Sequence, residues 1–301
     1  MPMASQPLRI WQRLSCAGLH VAIDGKTLRG THDAELGRHR VHLLRFWVDA
    51  HSMSAGQVVC EEKSNDLEAI PRLLAAVELR GATLTIDAMG TQTAIAAQIH
   101  DAGADYVQAL KANQKSAMAA VQSAFGDKRK EPIAAGEPTL PSPPQEGAVR
   151  VETLELCHGR CERREYQLLG DLSSFDKSWK WQGLQAMGKV RREVQRSHDG
   201  PPHLEEHYFL CSFKDDIERF AKLVRSHRSV ENRCHWVLDV TFNEDHCQVR
   251  DKTAAHNLSM VRELALKSSA RSSRQTEPAQ KTPPRCARPF FPPQLLGLLH
   301  A

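Results

Sequence analysis

Two short apolar runs, each ending in an aspartate, constrain this chain more than any other feature. Leu19-His-Val-Ala-Ile-Asp24 and Ala82-Thr-Leu-Thr-Ile-Asp87 have the length of strands and are bounded by glycines. Between them, Val41 to Ala50 and Ser54 to Glu61 read as two more strands, punctuated by turns at 33–37 and His51–Ser54. Three strands in succession imply an antiparallel meander. Asn65-Asp-Leu-Glu68 then opens a helix with an Asn or Asp cap, and Ile70, Leu73, Leu74 and Val77 follow at helical spacing up to Gly81. Thr91 to Ala102 reads as a second helix and Asp105 to Lys111 as a fifth strand. Strands that alternate with helices pair in parallel, on a sheet covered by those helices. The expected fold class is α/β, with a mixed five-stranded sheet.

Further along, the pattern changes. Residues 136–147 are rich in Pro, Gly and Ser and read as loop. Val149 to Cys157, Glu162 to Leu169, Gly188 to Gln195 and Leu204 to Ser212 alternate like strands. Asp215 to about Val240 returns to helical periodicity, and Asn257 to Lys267 reads as a last short helix. The expected segments are a short N-terminal piece (1–18), the first part of an α/β core (19–125), a mostly β insertion (126–213), a helical return to the core (214–267) and a basic, disordered Pro/Ser-rich tail (268–301).

Of the 301 residues, 41% are hydrophobic, enough for a sizeable core. The net charge of +4 does not by itself mark a nucleic-acid binder, which needs clustered charge. No run approaches the ~18 apolar residues of a membrane span, and Met1 to Arg13 lacks a signal-peptide core. A soluble, cytoplasmic protein is expected, with its eight cysteines as thiols.

Open α/β sheets bind ligands at the C-terminal ends of their strands, where Asp24 and Asp87 are expected. An Asp before a glycine-containing turn also serves as a turn cap, so each acid alone has two readings. Hard divalent cations gather several carboxylate oxygens, and a third acid is expected from a helix packed near the strand ends. Glu231, in Arg225-Ser-His-Arg-Ser-Val-Glu-Asn-Arg-Cys-His-Trp236, is the leading candidate, with Asp239, Glu244 and Asp245 as competitors and a solvated helix face as the bland reading. Lys26, Lys111, Arg228 and Arg233 could stabilise charge on a phosphate there. Phe220, Trp236 and Phe242 are expected in the core. Cys157-His158 with Cys161, and Cys234-His235 with His246-Cys247, carry zinc-ligand types without the paired spacing of a zinc ribbon, so buried cysteines and surface histidines are favoured. His158-Gly-Arg160 with Arg163 and Arg164 is a basic cluster that could contact phosphates, though Glu162 and Glu165 interleave it.

Longer motifs carry a resemblance. Ile23-Asp-Gly-Lys-Thr-Leu-Arg-Gly30, Lys63-Ser-Asn65, Thr85-Ile-Asp-Ala-Met-Gly90, Leu110-Lys111, Asn113-Gln114, His158-Gly-Arg160, Glu231-Asn232 and His235-Trp-Val-Leu-Asp-Val240 with Glu244-Asp245 resemble the H-repeat-associated group of bacterial insertion-sequence DDE transposases, from about Val21 to Lys267. The resemblance implies a ribonuclease-H-like core and a catalytic, metal-holding triad of Asp24, Asp87 and Glu231. It implies two Mg²⁺ ions, replaceable by Mn²⁺, which serve strand cleavage and strand transfer. The implied partners are terminal inverted repeats and target DNA, held by a homodimer, with Lys26, Lys111, Arg160, Arg228 and Arg233 as candidate DNA contacts. Three features depart from the group: little sequence precedes Asp24, Arg228 stands where a tryptophan is usual, and the sequence after Lys267 is atypical, as in a truncated or frameshifted copy. They keep open two alternatives, an inactive DNA-binding remnant and a ribonuclease-H-like hydrolytic nuclease.

Overall fold

A computed structural model describes residues 15–32, 40–60, 66–126, 147–157, 160–195 and 202–276. The expected turn at 33–37, the Asn65 cap, the loop at 136–146, His158 and the tail from 277 lie outside these residues.

Nine strands form one sheet: β1 (His20–Leu28), β2 (Val41–Val48), β3 (Met53–Cys60), β4 (Thr83–Ile86), β5 (Asp105–Leu110), β6 (Ala148–Cys157), β7 (Arg160–Leu169), β8 (Ala186–Gln195) and β9 (His203–Cys211). Their order is β3-β2-β1-β4-β5-β9-β8-β7-β6. β1, β2 and β3 form the expected antiparallel meander, and β4 and β5 join in parallel. The sheet does not stop at five strands. β9 pairs antiparallel with β5, and β8, β7 and β6 follow as a meander. β9 thereby satisfies the N–H and C=O groups that β5 would otherwise expose as an edge.

Helices α1 (Asp66–Leu74), α2 (Thr93–Asp101) and α3 (Lys115–Ala124) lie with the main core. That core joins Ile23, Phe46 and Leu84 of the sheet to Ile70 and Leu73 of α1 and Ile95 and Ile99 of α2. Residues of opposite parity on the same strands face other helices. Ala22 and Trp47 meet Val230, Cys234 and Leu238. Leu28, Val41 and Leu43 meet Ala255. Both faces of β2 are therefore covered, and all eight of its residues are buried, including Arg45.

The covering segment is not the single helix expected between 215 and 240. α4 (Ile217–His227) is followed by a π-helical turn at Glu231–His235 and by α5 (Trp236–Phe242). α4 is fixed at its start: Asp216 caps it by accepting from the Arg219 N–H at 2.9 Å, and the Arg219 guanidinium donates to Thr83 at 2.7 Å and Asp105 at 2.5 Å. Phe220 packs edge-on against Tyr166 and Phe209. α4 thus runs from the beginnings of β4 and β5 toward their ends. α6 (Lys252–Thr276) is longer than the expected 257–267 at both ends. Its His256 carbonyl accepts from the Gln57 side chain on β3 at 2.9 Å.

Candidate active site

β1 and β4 run side by side with Ile23 opposite Ile86, so Asp24 and Asp87 follow on adjacent strands, roughly one strand spacing (~4.8 Å) apart along the sheet. β4 ends there. β1 does not, because it stays paired with β2 as far as Leu28. Asp24 therefore lies inside a strand and not at its end, as the sequence had suggested, but at the point where β1 loses its parallel neighbour. Asp24 and Asp87 line one cavity with Ile70 of α1 and Gly90.

Asp87 meets the turn-cap reading and also lines the cavity it shares with Asp24. Its Oδ1 accepts from the Met89 and Gly90 N–H groups at 3.2 and 3.4 Å, a turn cap, while Oδ2 makes no hydrogen bond among the described residues. The turn is tight: a Cβ on Gly90 would lie 2.5 Å from Ile86 Cγ2 and 2.6 Å from Ile70 Cδ1. Thr91 closes it, donating to the carbonyls of Asp87 and Ala109. Burial, and then the negative charge of Asp24, push the Asp87 carboxyl above the usual carboxylate range.

The third candidate acid, Glu231, opens the π-helical turn. Glu231 and His235 stand at i and i+4, on one face. His235 Nδ1 lies 3.4 Å from Glu231 Oε2 and 3.6 Å from Asp24 Oδ2. Asp24, Glu231 and His235 offer one ligand atom each within 4.8 Å of one another, the one such group of His, Cys, Asp and Glu among the described residues. Glu231 is exposed and His235 buried. The competing acids are committed elsewhere. Asp239 pairs with Lys26, Asp245 with Arg29 at 3.4 Å, and Glu244 with Arg45 at 3.2 Å in full burial.

Lys26, expected to touch DNA, is instead buried. It lies two residues from Asp24, on the same face of β1. Its ammonium pairs with Asp239 and donates to the His235 carbonyl at 3.4 Å, with Glu244 at 3.8 Å. It clamps the Glu231 turn over Asp24. Beside it, Arg45 binds Glu263 at 2.6 Å and Ser259 at 2.6 Å, tying β2 to α6.

On the other side of Asp87, a second cavity is lined by Lys111, Arg164, Arg192, His207, Arg225 and Arg228, with Tyr166 and Phe209 among its apolar walls. Arg164 and Arg192 are held by Glu162. Lys111 and Arg228 form no ion pair among the described residues. Desolvation, and then the charges of Arg192 and Arg164, press the Arg228 pKa down, so an anion placed there would be stabilised. Arg160 is exposed at the start of β7. Arg233 pairs with Asp49 at 3.2 Å, on the far side of the π-helical turn.

Two histidines went unremarked in the sequence. The Thr85 hydroxyl lies 2.7 Å from His227 Nδ1 and 2.8 Å from His20 Nε2. Burial and the neighbouring His227 hold His20 at about 4. Burial also lowers His227, although Asp24 and Asp87 pull it upward. Their signal was the alternation of β1 and β4, which turns His20 and Thr85 to the side of the sheet that α4 covers. Among the described residues the Cys234-His235 half of the zinc alternative is not met: Cys234 is in the core with Ala22 and Trp47, and burial raises its thiol to about 12, while His235 faces the acids; His158 lies outside the described residues. Cys161, Cys211 and Cys247 are thiols as well. Trp236, expected in the core, is exposed, as is Val240. Phe220 is buried as expected.

Residues 16–266 match the family described as Transposase DDE domain. The chain belongs to that family. Among relatives of this DDE domain, "H repeat-associated putative transposase YhhI" of Escherichia coli (strain K12) is 33% identical over 250 residues, covering 82% of this chain and 62% of the relative. "Putative transposase YncI" of Escherichia coli O157:H7 is 33% identical over 251 residues, covering 82% and 60%. The chain thus spans about three fifths of the length of these curated relatives. A solved piggyBac transposase synaptic complex with hairpin DNA overlaps 88% of this chain and 55% of that one, at a TM-score of 0.38 and 10% identity. The expected resemblance to the H-repeat-associated group is met. No helix among the described residues is long and apolar enough to cross a membrane.

Proposed function

We propose that this DDE domain cleaves DNA strands and joins them to a target, with Asp24, Asp87 and Glu231 as the carboxylates that hold two divalent cations, Mg²⁺ or Mn²⁺. The observations that support the reading are two pairings that share Asp24: it lines one cavity with Asp87 of the neighbouring strand, and it lies with Glu231 and His235 of the π-helical turn so that their ligand atoms fall within 4.8 Å of one another, such turns being frequent at functional sites. The sheet order β3-β2-β1-β4-β5, with a meander followed by two parallel strands, supports a ribonuclease-H-like core, into which 126–213 is inserted.

The donors fit hard divalent ions: oxygens dominate, and two carboxylates press against each other at cost. Such ions, when bound, activate a water or 3′-hydroxyl and stabilise the leaving oxygen. The chain's own groups do the rest. The Asp87 turn fixes one carboxylate through two backbone N–H groups, leaving Oδ2 to bind. Lys26 holds the Glu231 turn in place through the His235 carbonyl. Lys111 and Arg228, which form no ion pair among the described residues, bind and orient the phosphodiester beside Asp87, and exposed Arg160 contacts the backbone further out. Terminal inverted repeats and target DNA are the proposed substrates, two copies of the chain the proposed assembly, and the bacterial cytoplasm the place of action.

Nicking of supercoiled DNA with Mg²⁺ or Mn²⁺ tests this. Asp87→Ala and Asp24→Ala are expected to lower nicking at least roughly a hundredfold while the protein stays folded. Undiminished nicking by a pure, folded variant would remove these acids from the mechanism. Joining of precut ends then separates a transposase from a hydrolytic nuclease. DNA binding without cleavage at any metal concentration would favour a non-catalytic role.

A further inference from the structure

We infer that His235 is a nitrogen ligand of the cation held by Asp24 and Glu231, and that it biases this site toward Mn²⁺ and similar first-row ions over Mg²⁺. The inference rests on the metal-binding reading above. His235 Nδ1 stands 3.4 Å from Glu231 Oε2 and 3.6 Å from Asp24 Oδ2. A charge-assisted hydrogen bond between such groups would close to ~2.7–2.9 Å. Ligand atoms that each lie about 2.0–2.2 Å from one ion are instead separated by gaps of this size. Asp24, Glu231 and His235 each place one ligand atom within 4.8 Å of the others, close enough to share one ion.

The ring has little freedom to do anything else. His235 is 4% exposed, and Lys26 holds its backbone carbonyl at 3.4 Å. Its Nε2 is buried without a hydrogen-bond partner. Nδ1 faces two carboxylates; a proton on Nδ1 satisfies them in the empty site, and a cation between the three groups takes the Nδ1 lone pair with the proton moved to Nε2. The preceding residue, Cys234, packs in the hydrophobic cluster with Trp47 and Leu238, so it pins the turn without contributing a ligand. Glu231 and His235 ride the same π-helical turn, and the turn therefore delivers an oxygen and a nitrogen donor together. Imidazole suits first-row transition ions from iron onward, and Mn²⁺, which precedes iron in that series and is itself oxygen-preferring, still accepts a nitrogen donor more readily than Mg²⁺, which is bound through oxygens.

Two measurements on the full chain test this without relying on turnover. Pulsed electron paramagnetic resonance of the protein with Mn²⁺ alone should reveal a directly bound nitrogen, absent in His235→Gln and retained in His227→Gln. Calorimetric titration should show His235→Gln weakening Mn²⁺ roughly tenfold or more while leaving Mg²⁺ affinity nearly unchanged. Mn²⁺ that binds wild-type protein, is lost in Asp24→Asn and yet shows no bound nitrogen would overturn the role of His235 and leave the carboxylate site standing. A nitrogen signal that persists in His235→Gln would overturn it equally. Failure of wild-type protein to bind Mn²⁺ at all would sink the metal reading itself. The spectrum of wild-type protein decides even if the glutamine variant does not fold.

Discussion

A carboxylate that both caps a turn and faces another carboxylate carries a stored electrostatic conflict. Asp87 is such a residue, its pKa raised by burial and by Asp24. Replacing it with Asn keeps the Oδ1 acceptor for Met89 and Gly90 and removes the repulsion. In EDTA, Asp87→Asn is expected to raise stability by about 1 kcal/mol, read as a higher melting temperature, at the expense of activity. A lower melting temperature would mean that the pair is not in conflict. Both aspartates stood out in the sequence because each ends an apolar run, but the run did not fix the end of the strand: β1 stays paired with β2 beyond Asp24, as far as Leu28. His235 was not: its neighbour Cys234 suggested a shared zinc set, but adjacent residues on a helical turn point in different directions, one to the core and one to the acids. Trp236 was misplaced for a related reason. Helical spacing from Phe220 assumes one uninterrupted helix, and the π-helical turn shifts the phase of everything after it.

Among elements, the strand runs were legible nearly residue by residue, since period-two alternation and turn residues mark them locally. Their partners were not. Nothing in β9 states that it will pair with β5, because alternation fixes which face a residue takes and not which strand lies beside it. The alanine-rich α3, from Lys115 to Ala124, was assigned no element. The link between α6 and the sheet was also invisible, since it depends on buried charges far apart in sequence. Arg45 lies fully buried with Glu244 and reaches Glu263 on α6. Arg45→Met is expected to cost roughly 3–5 kcal/mol, because it takes the guanidinium from buried Glu244, which keeps only the more distant Lys26, and from Glu263. Urea denaturation measures it. A loss below about 1 kcal/mol would show that other groups satisfy those acids.

Across the molecule, cations beside Asp87 come from widely separated segments: Lys111 follows β5, Arg164 and Arg192 sit on β7 and β8, and Arg228 follows α4. Formal net charge could not reveal this, as acids on the same strands cancel most of it. Arg228→Ala is expected to weaken DNA binding about equally for all sequences and to reduce the salt slope by about one. An unchanged slope, with affinity measured across a range of salt concentrations, would place the DNA elsewhere.

The pairing of β9 with β5 has a mechanical meaning. β5 meets β9 only as far as Leu110 opposite Tyr208, while β9 stays paired with β8 down to His203, so the outer strands overhang the carboxylates by roughly 17 Å. An appendage on a linker could swing to follow its substrate. One welded into the sheet by continuous backbone hydrogen bonds behaves as a stiff jaw, with a gauge set at folding. Under the proposed function, the double helix would have to bend, widen or unpair to fit that gauge, and duplexes that deform easily at the cleavage point would gain the advantage.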